Sequence, residues 1–305
     1  MHSCEAIQLS IDYIENNLDK NLSTKMLADM VGLSMFYYQR LFCRLVHKPV
    51  QEYIKLRRLA HSIELLNIPD KKIIDIAFEI GYSSHANYTK AFKESFGITP
   101  NKYRTQRPTL NTFIKPELSL NYTIANEGIP LIIGDIILEI NQVMLTDPDI
   151  YLGYEAPVYI SEQIPVGQTL GIDVPGELWK TFHRTKKQLP ISFTNNIELG
   201  VSHSPDSENN SFMYFVGGSV PNIFLPHFDS MTPFILQPGK YIVCKIEADT
   251  FEFLVTNALY QANNYLYEIW LPQNKLTPSS FCAEKYFKGN TDVHQMELWL
   301  PISIT

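Results

Sequence analysis

The sequence predicts a multidomain protein in which an all-α tandem helix-turn-helix domain is followed by an α+β domain. Three observations lead to this fold class. Apolar residues recur at helical spacing through the first third of the 305 residues, whereas short alternating runs typical of strands dominate the rest. A helix-turn-helix pattern occurs twice in the helical part. Residues 1–107 carry 15 Lys and Arg against 11 Asp and Glu, and residues 108–305 carry 10 against 21, so only the first third suits contact with a polyanion.

The first third is predicted to contain seven helices. Ile7, Ile11, Ile14 and Leu18 form the apolar stripe of a first amphipathic helix. Each later helix begins at a residue that can cap or open it, and a fourth helix spans residues 49–66. No strand pattern interrupts this series, so residues 1–107 form one all-α domain. The predicted helix starts are Ser23 or Thr24, Ser34, Pro49, Asp70, Ser84 and Thr99.

A repeat with a period of about 50 residues lies inside this domain. Each copy has a small residue where two helices cross, a glycine in the turn, and an amphipathic second helix, which is the helix-turn-helix pattern. One such copy is weak support, but two copies at constant spacing in the only basic part of the chain are strong support. The matching positions are Ala28, Val31 and Gly32 with Ala77, Ile80 and Gly81, then Ser34, Tyr38, Arg40, Phe42 and Tyr53 with Ser84, Tyr88, Lys90, Phe92 and Tyr103.

The stretch "IIDIAFEIGYSSHANYTKAFKESFGITPNKYR" resembles the signature of the AraC/XylS transcription regulators. The resemblance covers about residues 7–106, with Tyr88 where Phe is usual and Lys90 where Arg is usual. It implies two helix-turn-helix units joined by a long helix, with recognition helices in successive major grooves of double-stranded DNA. A helix over residues 49–66 would be about 27 Å long at ~1.5 Å per residue, of the same order as the ~34 Å between successive major grooves.

The resemblance also implies which side chains contact DNA. Gln39 can bind adenine through its amide, and Arg40 can bind guanine or phosphate. In the second recognition helix, Ala86 can contact a thymine methyl group and Lys90 most often meets phosphate. The expected DNA-binding residues are Phe36, Gln39, Arg40, His85, Ala86, Asn87 and Lys90.

Two adjacent arginines, Arg57 and Arg58, lie in the middle of the predicted fourth helix. We expect one of them to face solvent or to pair with Glu52 or Glu64. A contact with DNA phosphate is the alternative for these side chains.

The rest of the chain changes to a strand-rich pattern. Residues 108–140 are predicted to be a linker with extra strands, including "SLNYTIAN" and the start of "PLIIGDIILEINQVML". Residues 141–305 are predicted to form a domain in which strand-helix-strand-strand occurs twice, with helices over residues 176–189 and 250–271. This order predicts an α+β fold with a pseudo-twofold axis and one sheet covered by two helices. The glycine pair of "VGGSV" indicates a bulge or a close backbone approach.

The motifs "PGELWKTF", "SFMYFVGGSV", "QPGKYIVCKIEA", "CAEKYF" and "MELWLPI" resemble the GyrI-like, Rob-type effector-binding domain. This resemblance implies an aromatic cleft with a glutamate at its floor, which binds a small lipophilic and cationic ligand. Alternation along the strand is expected to place Glu297 on the face opposite Met296, Leu298 and Trp299. A buried carboxylate is costly unless a cation pairs with it. The expected ligand-binding residues are Glu297, Glu284, Trp179, Tyr214, Trp270 and Tyr286.

Together these patterns predict a one-component transcription regulator in the cytoplasm, with DNA, a small-molecule effector and RNA polymerase as its partners. The chain shows no nucleophile elbow, metal-ligand cluster or phosphate loop, so we expect no enzymatic activity, cofactor or metal. Its four cysteines are scattered, and no segment is long and apolar enough to enter a membrane. Hydrolase activity, or a protein-interaction role of the C-terminal domain, stays open as an alternative.

Overall fold

The computed structural model of the protein describes residues 3–118, 123–133, 135–159, 171–188, 193, 196–221, 231–277, 279–287 and 294–302. These residues form two compact units. The helical unit contains residues 3–118 together with 171–172, and the sheet unit contains residues 123–159 and the described residues from Asp173 onward. Across all the described ranges, no helix has the length and apolar character needed to cross a membrane. The boundaries that the sequence suggests at residues 107 and 140 stay predictions.

Residues 3–107 confirm the predicted all-α architecture of the first third. Its helices are α1 (Ser3–Glu15), α2 (Thr24–Met30), α3 (Met35–Val46), α4 (Val50–Leu66), α5 (Ile73–Glu79), α6 (His85–Phe96) and α7 (Pro100–Gln106).

Most of the helix starts are capped as the sequence indicates. The hydroxyl oxygens of Ser23, Ser34, Ser84 and Thr99 each accept a hydrogen bond from a backbone N–H in the first turn of their helix. The expectation for Asp70 is wrong, because this residue has a left-handed backbone (φ +64°) in the preceding turn and α5 begins three residues later.

Two separate hydrophobic cores hold the helices. The first core joins α1, α2, α3 and the first half of α4, and the second joins the last part of α4 with α5, α6 and α7. Tyr38 and Phe42 are fully buried in the first core, and their repeat partners Tyr88 and Phe92 are fully buried in the second. The sequence repeat therefore corresponds to two packed helix-turn-helix units that share the rod α4.

The segment after α7 returns to the first core. Phe113 and Leu118 are buried there, and the ring of Phe113 meets Tyr53 edge-on at 5.8 Å. Lys115 forms an ion pair of 2.6 Å with Asp12 of α1. Before this return, β1 (Leu110–Asn111) pairs with β5 (Gly171–Ile172) in a two-stranded antiparallel sheet.

The described residues of the sheet unit form a nine-stranded antiparallel sheet in the order β2-β3-β9-β11-β10-β6-β7-β4-β8. Its strands are β2 (Leu131–Ile133), β3 (Ile136–Leu145), β4 (Asp149–Tyr159), β6 (Ile197–Asp206), β7 (Ser211–Ser219), β8 (Thr232–Leu236), β9 (Gly239–Ala248), β10 (Cys282–Phe287) and β11 (His294–Pro301).

The helices of the sheet unit occupy the two predicted places. Helix α8 (Val174–Lys186) lies between β4 and β6. The C-terminal helical segment, residues 251–273, lies between β9 and β10 and interrupts α-helix with two π-helical stretches. It runs through α9 (Phe251–Phe253), Leu254–Ala258 as π-helix, α10 (Leu259–Tyr265), Leu266–Trp270 as π-helix, and α11 (Leu271–Gln273).

The duplicated strand-helix-strand-strand order is confirmed. One repeat is β4-α8-β6-β7, the other is β9, the C-terminal helical segment, β10 and β11, and the two meet where β6 pairs with β10. Each repeat also pairs with one strand that lies outside it in the sequence. β3 precedes the first repeat but pairs with β9 of the second, and β8 precedes the second repeat but pairs with β4 of the first.

Some local expectations for this half need correction. "SLNYTIAN" was expected to be a strand, but its residues 123–126 have no strand structure and its residues 119–122 lie outside the described part of the chain. Strand β8 was missed because "TPFIL" has a proline as its second residue, and sequence patterns assign such a residue to a turn or an edge. The close approach at the glycine pair is confirmed. A Cβ on Gly217 would lie 2.6 Å from the Phe215 ring and 2.7 Å from the Leu152 carbonyl oxygen.

Candidate functional site

The first candidate site is the outer face of α3. Ser34 caps this helix directly after the Gly32 turn, and Tyr38 and Phe42 hold its inner face in the core. Phe36, Gln39 and Arg40 are all exposed on the outer side. The Phe36 side chain is 69% exposed, and the Arg40 guanidinium lies 5.7 Å from the centre of its ring. An exposed aromatic ring stacked with a guanidinium suits contact with another molecule.

The matching face of α6 is also exposed, but its polar groups are partly engaged. His85, Ala86, Asn87 and Lys90 all face outward. The Asn87 amide donates a hydrogen bond of 3.1 Å to the Ser83 hydroxyl, and the Lys90 ammonium lies 3.8 Å from the Glu94 carboxylate. Helix α6 therefore presents a weaker positive surface than α3.

The two adjacent arginines of α4, Arg57 and Arg58, have other hydrogen-bond partners than the sequence suggested. The Arg57 guanidinium binds both carboxylate oxygens of Glu15 at 2.8–3.0 Å and the Phe113 carbonyl at 2.5 Å. Arg58 donates to backbone carbonyl oxygens. We expected one of these arginines to face solvent or to pair with Glu52 or Glu64. Both are partly buried, and their described hydrogen bonds go to other acceptors.

The second candidate site is a carboxylate among aromatic rings on the helix-covered face of the sheet. Glu284 of β10 accepts hydrogen bonds on Oε2 from the hydroxyls of Tyr286 at 2.7 Å and Tyr214 at 3.0 Å. The Trp179 indole of α8 donates to the Tyr214 oxygen at 3.3 Å. We call these four residues the Glu284 site. Glu284 is partly exposed as a residue, while its carboxylate lies among the side chains of Tyr214, Tyr286 and Trp179.

A glycine makes the space in this site. Gly200 of β6 is the cross-strand partner of Glu284. A Cβ at this position would lie 2.5 Å from the Tyr214 hydroxyl, 3.1 Å from Glu284 Oε2 and 3.3 Å from the Trp179 ring. Any larger residue at position 200 would displace the groups that surround the carboxylate.

The surroundings of the Glu284 site disfavour the charged form of its carboxyl group. Burial raises the pKa of Glu284, and the hydrogen bonds from Tyr286 and Tyr214 lower it by less. Burial also raises the pKa of the nearby Asp173, and the two carboxylates disfavour each other's charge. Among the described residues, no cationic side chain forms an ion pair with Glu284. A bound cation would stabilise the carboxylate form, and the Trp179 and Tyr286 rings, 5.3 Å apart, could add cation–π attraction.

Glu297 does not share this site. It is the cross-strand partner of Lys285 and Lys245, whereas Glu284 pairs in register with Leu298, so the two glutamates point to opposite faces of the sheet. Trp299 lies on the same face as Glu297 and donates its indole N–H to Glu297 Oε2 at 2.8 Å. The expectation that Trp299 and Glu297 lie on opposite faces is therefore wrong, because residues two apart in a strand share a face.

Trp270 is also separate from the Glu284 site in its observed contacts. It is buried in the C-terminal helical segment, and its indole N–H donates to the Ala125 carbonyl at 3.0 Å. The structure thus brings together Glu284, Trp179, Tyr214 and Tyr286 from the predicted ligand set, and leaves Trp270 and Glu297 apart.

Sequence reasoning missed Gly200 and Asp173, which border the Glu284 site. The signal for Asp173 was its place two residues before the helix motif "PGELWKTF". No sequence pattern marked Gly200, since its role depends on cross-strand register. A separate small recess, lined by Ile242, Leu271, Leu276, Thr277 and Leu300 among others, carries no charged side chain.

Comparisons with known proteins assign a family to each half of the chain. The helix-turn-helix domain family matches residues 27–106, and the integron-associated effector binding protein family matches residues 166–302. These matches cover the two recognition helices and the Glu284 site, respectively.

Among individual relatives, "Regulatory protein SoxS" of Salmonella typhimurium is 34% identical over 100 residues, which are 33% of this chain and 94% of SoxS. "HTH-type transcriptional activator AarP" of Providencia stuartii is 35% identical over 92 residues, 30% of this chain and 68% of AarP. A solved AraC-type regulator from Chromobacterium violaceum is 29% identical over 34% of this chain and 92% of its own, with a TM-score of 0.33. The chain belongs to the AraC family of DNA-binding transcription regulators and carries a GyrI-like effector-binding domain.

Proposed function

We propose that α3 and α6 read two successive major grooves of one DNA site, and that the Glu284 site binds a small lipophilic cation that controls this activity. The exposed outer faces of both recognition helices support the first part, since each presents polar side chains beside a capped N-terminus. In this proposal Phe36, Gln39 and Arg40 contribute most of the base contacts. Lys90 contributes a phosphate contact.

The single observation that carries the ligand proposal is the Glu284 carboxylate, which lies between tyrosine hydroxyls near the Trp179 ring and has no cationic partner among the described residues. A charge in such a place is unfavourable until an opposite charge joins it. Asp173 adds further negative potential to the cleft. A lipophilic aromatic cation with one positive charge fits this chemistry best. Trp270 and Glu297, which the sequence also suggested, have no part in the proposed cleft.

As a regulator, the protein would act by changing DNA binding or by recruiting RNA polymerase when the ligand is bound. The alternative is a hydrolase that uses the pocket glutamate, and a third possibility is a docking surface for another protein. Within the described residues, no group of histidine, cysteine or acidic side chains could hold a metal ion. No further observation favours the hydrolase or the docking surface.

The DNA part is tested with the full chain and the DNA that it selects from a random library. Arg40→Ala should weaken binding to the selected site by about 1–3 kcal/mol and relax the preference at one base position. Lys90→Ala should weaken binding to all sequences alike and flatten the salt dependence. Lys240→Ala removes an equal charge from an exposed strand residue of the sheet unit and serves as the control. Wild-type affinity in both α3 and α6 variants would contradict the proposal.

The ligand part is tested by thermal unfolding with tetraphenylphosphonium and with triphenylmethanol, an uncharged aromatic compound of related shape. The cation should raise the unfolding temperature, and the uncharged compound should have a much smaller effect. Turnover of ester substrates that disappears in Glu284→Gln would support the hydrolase instead. Equal stabilisation by both compounds would argue against a carboxylate-centred site.

A further inference from the structure

The two cores of the helical unit meet in the middle of α4. Leu56 belongs to the first core and Leu59 belongs to the second, so the change occurs at Arg57 and Arg58. Helix α4 therefore packs against both helix-turn-helix units and connects them. The angle between α3 and α6 depends on the side chains that hold this junction.

Arg58 makes hydrogen bonds to both sides of the junction. Its Nε donates to the Leu18 carbonyl at 2.8 Å and its Nη2 to the Lys20 carbonyl at 2.6 Å, both in the turn after α1. Its Nη1 donates to the Gly81 carbonyl at 3.4 Å, in the turn of the second helix-turn-helix unit. A planar guanidinium with several donors in fixed directions can join these two turns in one geometry.

A comparison of the two turn glycines shows that an arginine contacts the glycine turn of the second unit but not that of the first. Gly32 and Gly81 occupy the same place in the two repeats, and both have left-handed backbones, with φ of +71° and +79°. Around Gly32 a Cβ would meet no atom within 4 Å, whereas at Gly81 it would lie 2.7 Å from Arg58 Nη2. The second turn therefore accommodates the guanidinium, and the first turn has no equivalent group.

Arg57 has a different role from its neighbour. It pairs with Glu15 of α1 and binds the carbonyl of Phe113, and both of these lie on the side of the first core. Its contacts fasten the segment after α7 to α1. Arg58 is the arginine of this pair that reaches the turn between α5 and α6.

We propose that Arg58 is a positioning residue that fixes the angle between α3 and α6, and so sets the spacing between the two DNA half-sites that the protein accepts. This inference rests on the proposed two-groove binding. Two linked helix-turn-helix units bind DNA more tightly than one only when their relative geometry matches the DNA. This gain in affinity falls as the link between the units becomes more flexible. Without Arg58, each unit keeps its own core and its own reading face, but the junction loses its link between the two turns.

The test uses the full chain and the DNA site that the wild-type protein selects from a random library. Affinity is measured for this site, for one half-site, and for the site with one or two base pairs inserted between its halves. The variants are Arg58→Ala and Arg58→Lys, and Lys55→Ala, an exposed residue of the same helix, is the matched control for lost charge. Circular dichroism and thermal unfolding establish that each variant is folded.

We expect Arg58→Ala to lose about tenfold or more in affinity for the selected site while its affinity for the half-site stays within about twofold. Its penalty for inserted base pairs should also shrink relative to wild type. Arg58→Lys should behave similarly, because one ammonium group cannot reach carbonyls in both turns at once. Lys55→Ala should keep the wild-type insertion penalty.

The inference is overturned if Arg58→Ala keeps wild-type affinity with the wild-type insertion penalty. It is also overturned if the variant loses the same factor on the half-site as on the full site, since that pattern indicates a phosphate contact or a local folding defect. Should Arg58→Ala fail to fold, the same criteria applied to Arg58→Lys decide the question. A wild-type protein without any insertion penalty would overturn the two-groove proposal itself, and this inference with it.

Discussion

Two adjacent residues of strand β10, Glu284 and Lys285, belong to two different sites on the two faces of one sheet. On the helix-covered face is the Glu284 site. On the opposite face, Lys285 lies beside Asp149, Trp299 and Glu297, and we call these four residues the Lys285 site. Both sites combine carboxylates with aromatic rings. They differ in whether a cation of the chain is already present.

The Lys285 site contains its own cation. The Lys285 ammonium is 2.6 Å from Asp149 Oδ2 and 3.7 Å from the centre of the Trp299 ring, and the residue is only 5% exposed. Its charge is therefore satisfied by an ion pair and a cation–π contact at the same time. Glu297 accepts the Trp299 indole N–H and lies in register between two lysines.

The Glu284 site has the same kinds of groups without the cation. Its carboxylate receives only tyrosine hydroxyls among the described contacts, and burial raises its pKa. The comparison shows how alternation along one strand places a polar cluster with its own ion pair on one face and, on the other face, the cluster that we propose binds a cation. An aromatic ring beside a carboxylate does not identify a binding site unless the charge still needs a partner.

The largest expected effect is on ligand affinity in Glu284→Gln. Replacing the carboxylate removes the charged partner of a buried pair, so affinity for tetraphenylphosphonium should fall by about 2–5 kcal/mol. The amide is close in shape, so the tyrosine contacts and the fold should persist. Isothermal titration calorimetry measures the loss, with Asp147→Asn on the surface as a control. An unchanged affinity would show that the cation, if bound, is held elsewhere.

The pH dependence of ligand binding sharpens the same comparison. The pKa of Glu284 in the free protein is raised above its ordinary value, and a bound cation should lower it again. Binding therefore releases a proton when the pH lies below the raised pKa. Affinity should rise with pH through this range, by up to about tenfold per pH unit, and level off above the raised pKa.

Titrations between pH 4.5 and 8 test this dependence in wild type and in Glu284→Gln. The variant should show a much flatter profile, because Asp173 is then the one carboxyl group of the pair that can still titrate.

The free energy of unfolding of the ligand-free protein should change with pH in the opposite direction to the ligand affinity. A raised folded-state pKa stabilises the fold at low pH, and this contribution is lost as the pH rises through the raised value. An affinity that increased on acidification would contradict both expectations.

A smaller effect is expected from Lys285→Met, which removes the internal cation from the other face. The free energy of unfolding should fall by about 1–3 kcal/mol, less than for a fully buried pair because Asp149 is partly exposed to water. Affinity for tetraphenylphosphonium at the Glu284 site should stay within twofold of wild type. Urea unfolding and calorimetry measure the two quantities. A large loss of ligand affinity would indicate that the two faces are not independent.

Much of the fold could be predicted from the sequence because its signals are local. Capping residues, turn glycines and the spacing of apolar residues all act within a few positions of the chain, and they gave the helices of the first third and the duplicated strand-helix-strand-strand order. The left-handed backbone of Asp70 was missed because an Asp before a helix can either cap it or occupy the preceding turn. The strand that includes Pro233 was missed because its pairing with β4 joins distant parts of the chain.

The candidate ligand site could be predicted only in part, since it depends on which strands are neighbours. Glu284, Tyr214 and Trp179 come from β10, β7 and α8, and the register of β6 against β10 places Gly200 beneath them. The role of Glu297 was inferred from a resemblance. Its cross-strand pairing with Lys285 could not be read from the sequence.

The smallest expected effect is that of Glu297→Gln, and it separates the two faces most directly. The new amide oxygen can still accept the Trp299 indole N–H, so the free energy of unfolding should change by less than about 1 kcal/mol. Affinity for tetraphenylphosphonium should match wild type within twofold, because Glu297 faces away from Tyr214 and Trp179. Paired calorimetric titrations of Glu297→Gln and Glu284→Gln at one pH give the answer. If Glu297→Gln lost the cation while Glu284→Gln kept it, the ligand would bind on the face of the Lys285 site, where it would have to compete with Lys285 for Trp299.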